Sequence, residues 1–126
     1  MKNTKTANIN ISLKQLFSVW LEITSSFHKL RKQEKKVLSL FLYHYFKLKQ
    51  EITNDTILWK VLFDYDKKEE IKKELNMPDQ SFRNILTSLR KKNVIKDEMI
   101  SNIYIPTLEN KSKNFKVIFN FNIIDG

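Results

Sequence analysis

The sequence predicts a mainly helical fold with a C-terminal β-hairpin, and three observations support this prediction. Apolar residues recur every three or four positions along most of residues 12–91, which is the spacing of amphipathic helices. The run Asn76-Met77-Pro78 interrupts that spacing with residues that end helices. After residue 95 the spacing falls to two, because residues 102–105 and 115–123 alternate between the two faces of a strand.

The first predicted helix begins at Ser12, because Gln15 follows three residues later and completes a capping box. Before it, the alternating stretch Asn8-Ile9-Asn10-Ile11 is interpreted as a short strand or a partner-binding arm. The apolar face of the first helix is assigned to Leu13, Leu16, Phe17, Trp20, Ile23 and Phe27.

Two more helices are predicted before residue 64. One runs from about Lys32 to about Lys47, and the breadth of its apolar stripe indicates burial on two sides. The next begins at one of the capping residues Thr53, Asn54 or Asp55. The N-terminal half therefore adds helices in front of the more informative region.

That region starts with a short helix, which Asp66 and Glu69 are predicted to cap as a second capping box. Its apolar residues Ile71 and Leu75 lie four apart on one face. Asn76 is predicted to end it, because Asn enters the left-handed backbone region at low cost. A helix, a short turn and a second helix are therefore expected in this order.

The second helix of this pair is predicted to start at Asp79, whose carboxylate would accept from free backbone N–H groups. Its inward face is assigned to Phe82, Ile85, Leu86 and Leu89, which repeat at three and four. Its polar face carries Gln80, Ser81, Arg83, Asn84, Thr87, Arg90 and Lys91.

Two strands of a hairpin are predicted after this helix. Ile103 and Ile105 form the apolar face of the first strand, and residues 109–114 form an exposed tip. Pro106 lacks an N–H group, so it places the first strand at an edge or ends its pairing. The apolar face of the second strand is assigned to Phe115, Val117, Phe119, Phe121 and Ile123.

Residues 74–95 resemble the helix-turn-helix of MarR-type and related winged-helix regulators, with a Leu-Asn turn and a Leu-Arg-Lys-Lys-Asn-Val-Ile exit. Asn76 and Asn93 stand where glycine is usual, and Asp79 stands where a small hydroxyl residue is commoner. The resemblance implies a winged helix-turn-helix with additional N-terminal helices, as one domain over residues 1–126. Its parts would be 1–64 (arm and helices), 66–95 (helix-turn-helix) and 96–124 (wing hairpin).

Composition excludes several kinds of chemistry. The chain has no Cys, which rules out disulfides and thiolate metal sites, and His28 and His44 have no ligand-spaced partners. A single Gly among 126 residues rules out glycine-rich phosphate loops. No catalytic, metal or cofactor site is therefore expected, and the chain is predicted not to be an enzyme.

Charge points to an anionic partner. The 23 basic and 14 acidic side chains leave a net charge of +9, and the basic residues cluster in three places. The first cluster is residues 28–36, where Glu34 is the lone acid, and the second is residues 83–96, which contain no acid. The third surrounds the predicted hairpin tip and consists of Lys111, Lys113 and Lys116.

The leading hypothesis is a protein that binds double-stranded DNA, with residues 80–91 in the major groove and the basic tip on adjacent phosphate or minor groove. Arg83 suits guanine, and Asn84 or Gln80 suits adenine, by bidentate geometry. The backbone would be positioned by Thr87, Arg90, Lys91 and Lys92, and Ser81 is a further predicted DNA-binding residue. By the same resemblance, a homodimer formed through the N-terminal helices would read a two-fold site in transcription regulation or replication.

A second hypothesis assigns the fold to assembly. Lys, Asn and Ile are abundant, as an A·T-rich coding sequence would make them, and such a composition suits a bacteriophage structural protein that uses the fold to bind other virion proteins. The expected location is the bacterial cytoplasm under the first hypothesis and the virion under the second. No run of residues approaches a membrane span, so no membrane partner is expected.

Overall fold

The computed structural model describes residues 9–107 and 123–124. They form six α-helices, one pair of short antiparallel strands and a 3-10 turn, so the predicted mainly helical class with a hairpin near the C-terminus is confirmed. The elements are α1 (Leu13–Ile23), α2 (Ser25–His28), α3 (Lys32–Glu51), α4 (Asp55–Leu62), α5 (Tyr65–Glu74), α6 (Asp79–Lys91), β1 (Ile95–Lys96), β2 (Met99–Ile100) and the turn Asn102–Tyr104.

Helix α3 is the centre of the fold. It packs against α1, α4, α5 and α6, and its residues Val37, Leu38, Phe41 and Leu42 are fully buried. The prediction that this helix is buried on more than one side is confirmed. Its end was predicted too early, because the half-buried Leu48 also packs on the core and the helix continues to Glu51. In the part of the chain that the structure describes, none of the helices is long and apolar enough to cross a bilayer.

Helix α1 begins as predicted, but only part of its assigned apolar face is buried. The Ser12 capping box is present, with the Gln15 N–H donating to Ser12 Oγ at 3.2 Å. The buried residues are Phe17 and Leu21, whereas Phe27 is 76% exposed. The assigned face was partly wrong because α1 ends at Ile23 and Phe27 lies on the separate helix α2. Residues 9–11 are exposed and irregular, so the proposed strand is absent from its described part.

The entry to α5 lies two residues before the predicted one. Lys67 N–H donates to Asp64 Oδ1 at 2.7 Å, so Asp64 caps the helix and the predicted capping by Asp66 and Glu69 is wrong. The cap falls early because the buried Phe63 ends α4 and leaves little chain before the next helix. The start of α4 agrees with the sequence, since Asn54 is its cap.

The turn between α5 and α6 follows the sequence closely. Asn76 has the left-handed φ of 52° that was expected, and the inward face of α6 is buried as predicted. The predicted cap at Asp79 is wrong, because Pro78 occupies the capping position and Asp79 is already helical. The carboxylate of Asp79 contacts Lys72 and Arg83 instead.

The hairpin that the structure describes after α6 lies before the predicted strands. Ile95 pairs with Ile100 and Lys96 with Met99, and the chain reverses through Asp97 and Glu98, whose φ values of 54° and 53° match a type I′ turn. The predicted strand at Ile103 and Ile105 is wrong, because residues 102–104 form a 3-10 turn. The Trp20 ring N–H holds that turn on α1 by donating to the Tyr104 carbonyl at 3.0 Å. Apart from Ile123, which is irregular, the predicted tip 109–114 and strand 115–123 lie outside the described residues.

Candidate nucleic-acid interface

The exposed side of α6 is opposite its buried side. Because a helix turns about 100° per residue, Gln80, Asn84, Thr87 and Lys91 fall on one stripe, and all four are exposed. Buried Phe82, Ile85, Leu86 and Leu89 lie on the other side and fix the rotation of the helix. The sequence-predicted polar face is therefore brought together on one outward surface, which we call the α6 stripe (Gln80, Asn84, Thr87, Lys91).

Two hydrogen bonds order the side chains of this stripe. The Gln80 amino group donates to Asn84 Oδ1 at 3.0 Å, and Thr87 Oγ1 donates to the Arg83 carbonyl at 3.0 Å. The first bond leaves the Gln80 side-chain oxygen as an acceptor and the Asn84 amino group as a donor.

One flank of α6 faces the hairpin β1–β2, and its cations are paired with acids. Arg83 Nε lies 2.9 Å from Asp79 Oδ2, and Arg90 contacts Glu98 at 3.1 Å. All four side chains are at least 41% exposed, so solvent screens both pairs. Asp97 is also exposed in the hairpin turn, and this flank therefore presents arginine and carboxylate together.

The opposite flank of α6 faces the start of α3 and is joined to it by a buried carboxylate. Glu34 is fully buried and accepts from Ser88 Oγ at 2.5 Å, Lys92 Nζ at 2.6 Å and the Arg31 backbone N–H at 2.8 Å. Burial alone would raise the pKa of Glu34, but the hydrogen bonds that it accepts outweigh burial and lower the pKa from 4.5 to about 2. Glu34 is therefore ionised and holds α6 on α3.

This arrangement gives Lys92 a structural partner. Lys92 was predicted to position the DNA backbone, and in the structure its ammonium donates to Glu34 at 2.6 Å while 39% of the side chain stays exposed. Ser81, another predicted site residue, lines a shallow groove of about 300 Å³ with Gln33 and Lys36 of α3. The contact between Lys92 and Glu34 had one signal in the sequence, which is that Glu34 is the lone acid in a strongly basic run. Such an acid is a candidate for a buried hydrogen-bond acceptor.

A second carboxylate ties α5 to the rest of the fold. Glu74 accepts from Lys14 of α1 at 3.1 Å and contacts the buried ring of His44 at 2.8 Å. Burial alone would raise the pKa of Glu74, but the hydrogen bonds and the electrostatic attraction of these two partners together lower it below 4.5. Ligand atoms of His44, Glu70 and Glu74 lie within 4.8 Å of one another, a grouping that the sequence spacing did not reveal. Lysine already pairs with both carboxylates, since Lys67 contacts Glu70 at 2.8 Å.

The third basic cluster of the sequence cannot be compared with the α6 stripe. Lys111, Lys113 and Lys116 lie outside the described residues, so their predicted place on a wing tip stays a prediction. Comparison with protein-family models, with curated proteins and with solved structures gave no match to this chain.

Proposed function

We propose that this chain is a DNA-binding protein of the winged helix-turn-helix class, in which α6 is the recognition helix and enters the major groove. The observation that carries the proposal is the α6 stripe: four exposed polar side chains on a helix whose opposite face is buried. The order of α5, turn, α6 and a short antiparallel hairpin supports it, because that order is characteristic of winged helices.

Gln80 and Asn84 would read an adenine together. Adenine presents one donor and one acceptor in the major groove, and the paired amides offer one acceptor and one donor toward it. Because their mutual hydrogen bond already fixes both side chains, little rotamer freedom would be lost on binding.

Arg83 would contact guanine, which presents two acceptors to a guanidinium. Asp79 holds the Arg83 side chain at 2.9 Å in the free protein, so binding would require the guanidinium to rearrange or to share its donors. Lys91 would contact phosphate beside the groove, and Arg90 would do so on leaving Glu98, which it contacts at 3.1 Å in the free protein. Lys111, Lys113 and Lys116 complete the proposed surface as contacts of the wing.

A homodimer formed through the N-terminal helices is part of the proposal, because a two-fold site needs two copies of α6. Phe27 and Ile103 are 76% and 78% exposed beside Trp20, and they border a groove of about 200 Å³. An apolar surface of this kind is normally covered by a protein partner. A second copy would cover it in a transcriptional regulator or a replication-associated protein of the bacterial cytoplasm.

The same apolar surface favours a second candidate function, in which the chain is a component of a bacteriophage particle and virion proteins cover Phe27. Light scattering of the purified chain separates the two. A dimer that Phe27→Ser converts to a monomer, while the control Ile57→Ser on the exposed face of α4 does not, supports the regulator. A chain that remains monomeric at all concentrations rejects the dimer.

Fluorescence anisotropy with a labelled duplex tests DNA binding directly. We expect the affinity to fall steeply with added salt, and Gln80→Ala combined with Asn84→Ala to reduce the preference for the best sequence. Ile57→Ser serves again as the control that leaves the α6 stripe intact. Absence of binding at low salt by a folded chain rejects the proposed function.

A further inference from the structure

The start of α3 runs beside the recognition helix. The Arg31 guanidinium donates to Ser88 Oγ at 3.3 Å, and Gln33 and Lys36 line one groove with Ser81. These contacts extend along α6 from its first turn to its last. The cluster at residues 28–36, which lies more than 40 residues before α6 in the sequence, therefore forms one flank of the same surface.

The charge of this flank is almost purely positive on its outer side. Glu34, its lone acid, is fully buried and accepts from Lys92, from Ser88 and from both the backbone and the guanidinium of Arg31. Lys35 turns away and pairs with Glu22 on α1 at 2.7 Å. The other cations of this run are exposed: Lys29, Arg31, Lys32 and Lys36. Lys36 lines the groove beside Ser81, and Lys32 lies one turn before Lys36 on the same side of α3.

The hairpin flank has a different character. Asp97 and Glu98 form its turn beside the C-terminal end of α6, and Asp79 lies on the same side of α6 at its N-terminal end. Within residues 95–100 the exposed cation is Lys96, so the described hairpin does not offer a net positive surface to a phosphate. Carboxylates at this place repel the DNA backbone.

We infer that the start of α3 is the phosphate-binding surface that anchors double-stranded DNA beside α6, and that the hairpin β1–β2 is not. The inference rests on the proposed function. A helix in the major groove has one sugar-phosphate strand on each side, so the two flanks of α6 meet the two strands. The strand on the α3 side meets Lys32 and Lys36, and the strand on the other side meets Asp97 and Glu98.

The double variant K32Q/K36Q tests this anchor. Both side chains are exposed, and loss of positive charge at a helix N-terminus is favourable to the helix dipole, so the fold is retained. The matched control is K47Q/K60Q, which removes the same charge from exposed sites, with Lys47 about 17 Å along α3 from Lys36 at 1.5 Å per residue. Melting temperatures of both variants confirm folding.

The salt dependence of binding to one labelled duplex is the readout. Each phosphate contact contributes about 0.9 to the slope of log K against log salt, so K32Q/K36Q should lower the slope by about two units. Between about 50 and 200 mM salt the variant should then lose roughly tenfold less affinity than the wild type. The control should keep the wild-type slope.

Three results would contradict the inference or its premise. Equal slopes for K32Q/K36Q and the wild type overturn the anchor on α3, while binding itself still supports the proposed function. If the control K47Q/K60Q lowers the slope equally, net charge alone sets the salt dependence, and the anchor on α3 is overturned as well. Failure of the wild-type chain to bind at low salt rejects the proposed function first.

Discussion

The two flanks of α6 use similar charges in different surroundings. On the α3 flank, one fully buried carboxylate accepts from Lys92, Ser88 and Arg31. On the hairpin flank, Arg90 meets Glu98 in a pair whose members are 41% and 50% exposed. Removing one partner of a buried, hydrogen-bonded pair is costly, whereas exposed pairs contribute little. The contacts on the α3 flank therefore hold α6 in position. The pairs on the hairpin flank contribute little to stability and mainly set the surface charge beside α6.

This comparison depends on the rotation of α6, which Phe82 fixes from the core side. Phe82 is 4% exposed and stacks near Phe41 with ring centroids 6.3 Å apart. Phe82→Ala should lower the free energy of unfolding by about 3–5 kcal/mol, measured by urea denaturation. The control Asn84→Ala on the α6 stripe should change it by less than about 0.5 kcal/mol. If Asn84→Ala destabilised the protein more than Phe82→Ala, α6 would be rotated and its two flanks would be assigned incorrectly.

Glu34→Gln tests the buried flank itself. The amide keeps the shape but accepts more weakly from Lys92 and adds a donor where Ser88 already donates, so we expect a loss of about 3 kcal/mol. The matched control is Glu98→Gln on the hairpin flank, which makes the same chemical change at an exposed pair. Chemical denaturation of both variants decides the comparison, and equal losses would remove the distinction between the flanks.

The pH dependence of stability gives a related measurement. Because folding lowers the pKa of Glu34 from 4.5 to about 2, its contribution is fully present above about pH 5 and is lost as the pH falls toward 2. The shift corresponds to roughly 3 kcal/mol at 1.36 kcal/mol per pKa unit. The difference in unfolding free energy between wild type and Glu34→Gln should shrink over this range. If the difference in unfolding free energy stayed constant from pH 7 to pH 2, the contacts of Glu34 would not lower its pKa in the folded protein.

The sequence predicted every described helix except α2, as well as the core face of α6, because both depend on local spacing. Phe82, Ile85, Leu86 and Leu89 repeat at helical intervals, and burial follows from that repeat. Asn76 and Asn93 took the left-handed conformation for a reason that is local as well. These features need no knowledge of distant residues.

The neighbours of α6 were not predictable in the same way. Glu34 lies 54 residues before Ser88 and 58 before Lys92, so no local pattern links them. Caps were displaced for a similar reason: Asp64 replaced Asp66 because the packing of Phe63 ended the preceding helix early. The strand expected at Ile103 was lost to a 3-10 turn that Trp20 of α1 holds from outside. Tertiary contacts decided these points.

The smallest expected effect belongs to the hairpin flank and concerns binding. Glu98→Gln removes the acid that contacts Arg90 at 3.1 Å, so the guanidinium becomes available to phosphate at little cost to stability. An exposed pair contributes about 0.2–1 kcal/mol, which corresponds to a rise in DNA affinity of roughly 1.4- to 5-fold. Anisotropy at one fixed salt concentration measures it, with Glu70→Gln on α5 as the control for loss of one exposed carboxylate. A fall in affinity would mean that Glu98 holds Arg90 in its binding position, and that the hairpin flank orders the surface instead of repelling DNA.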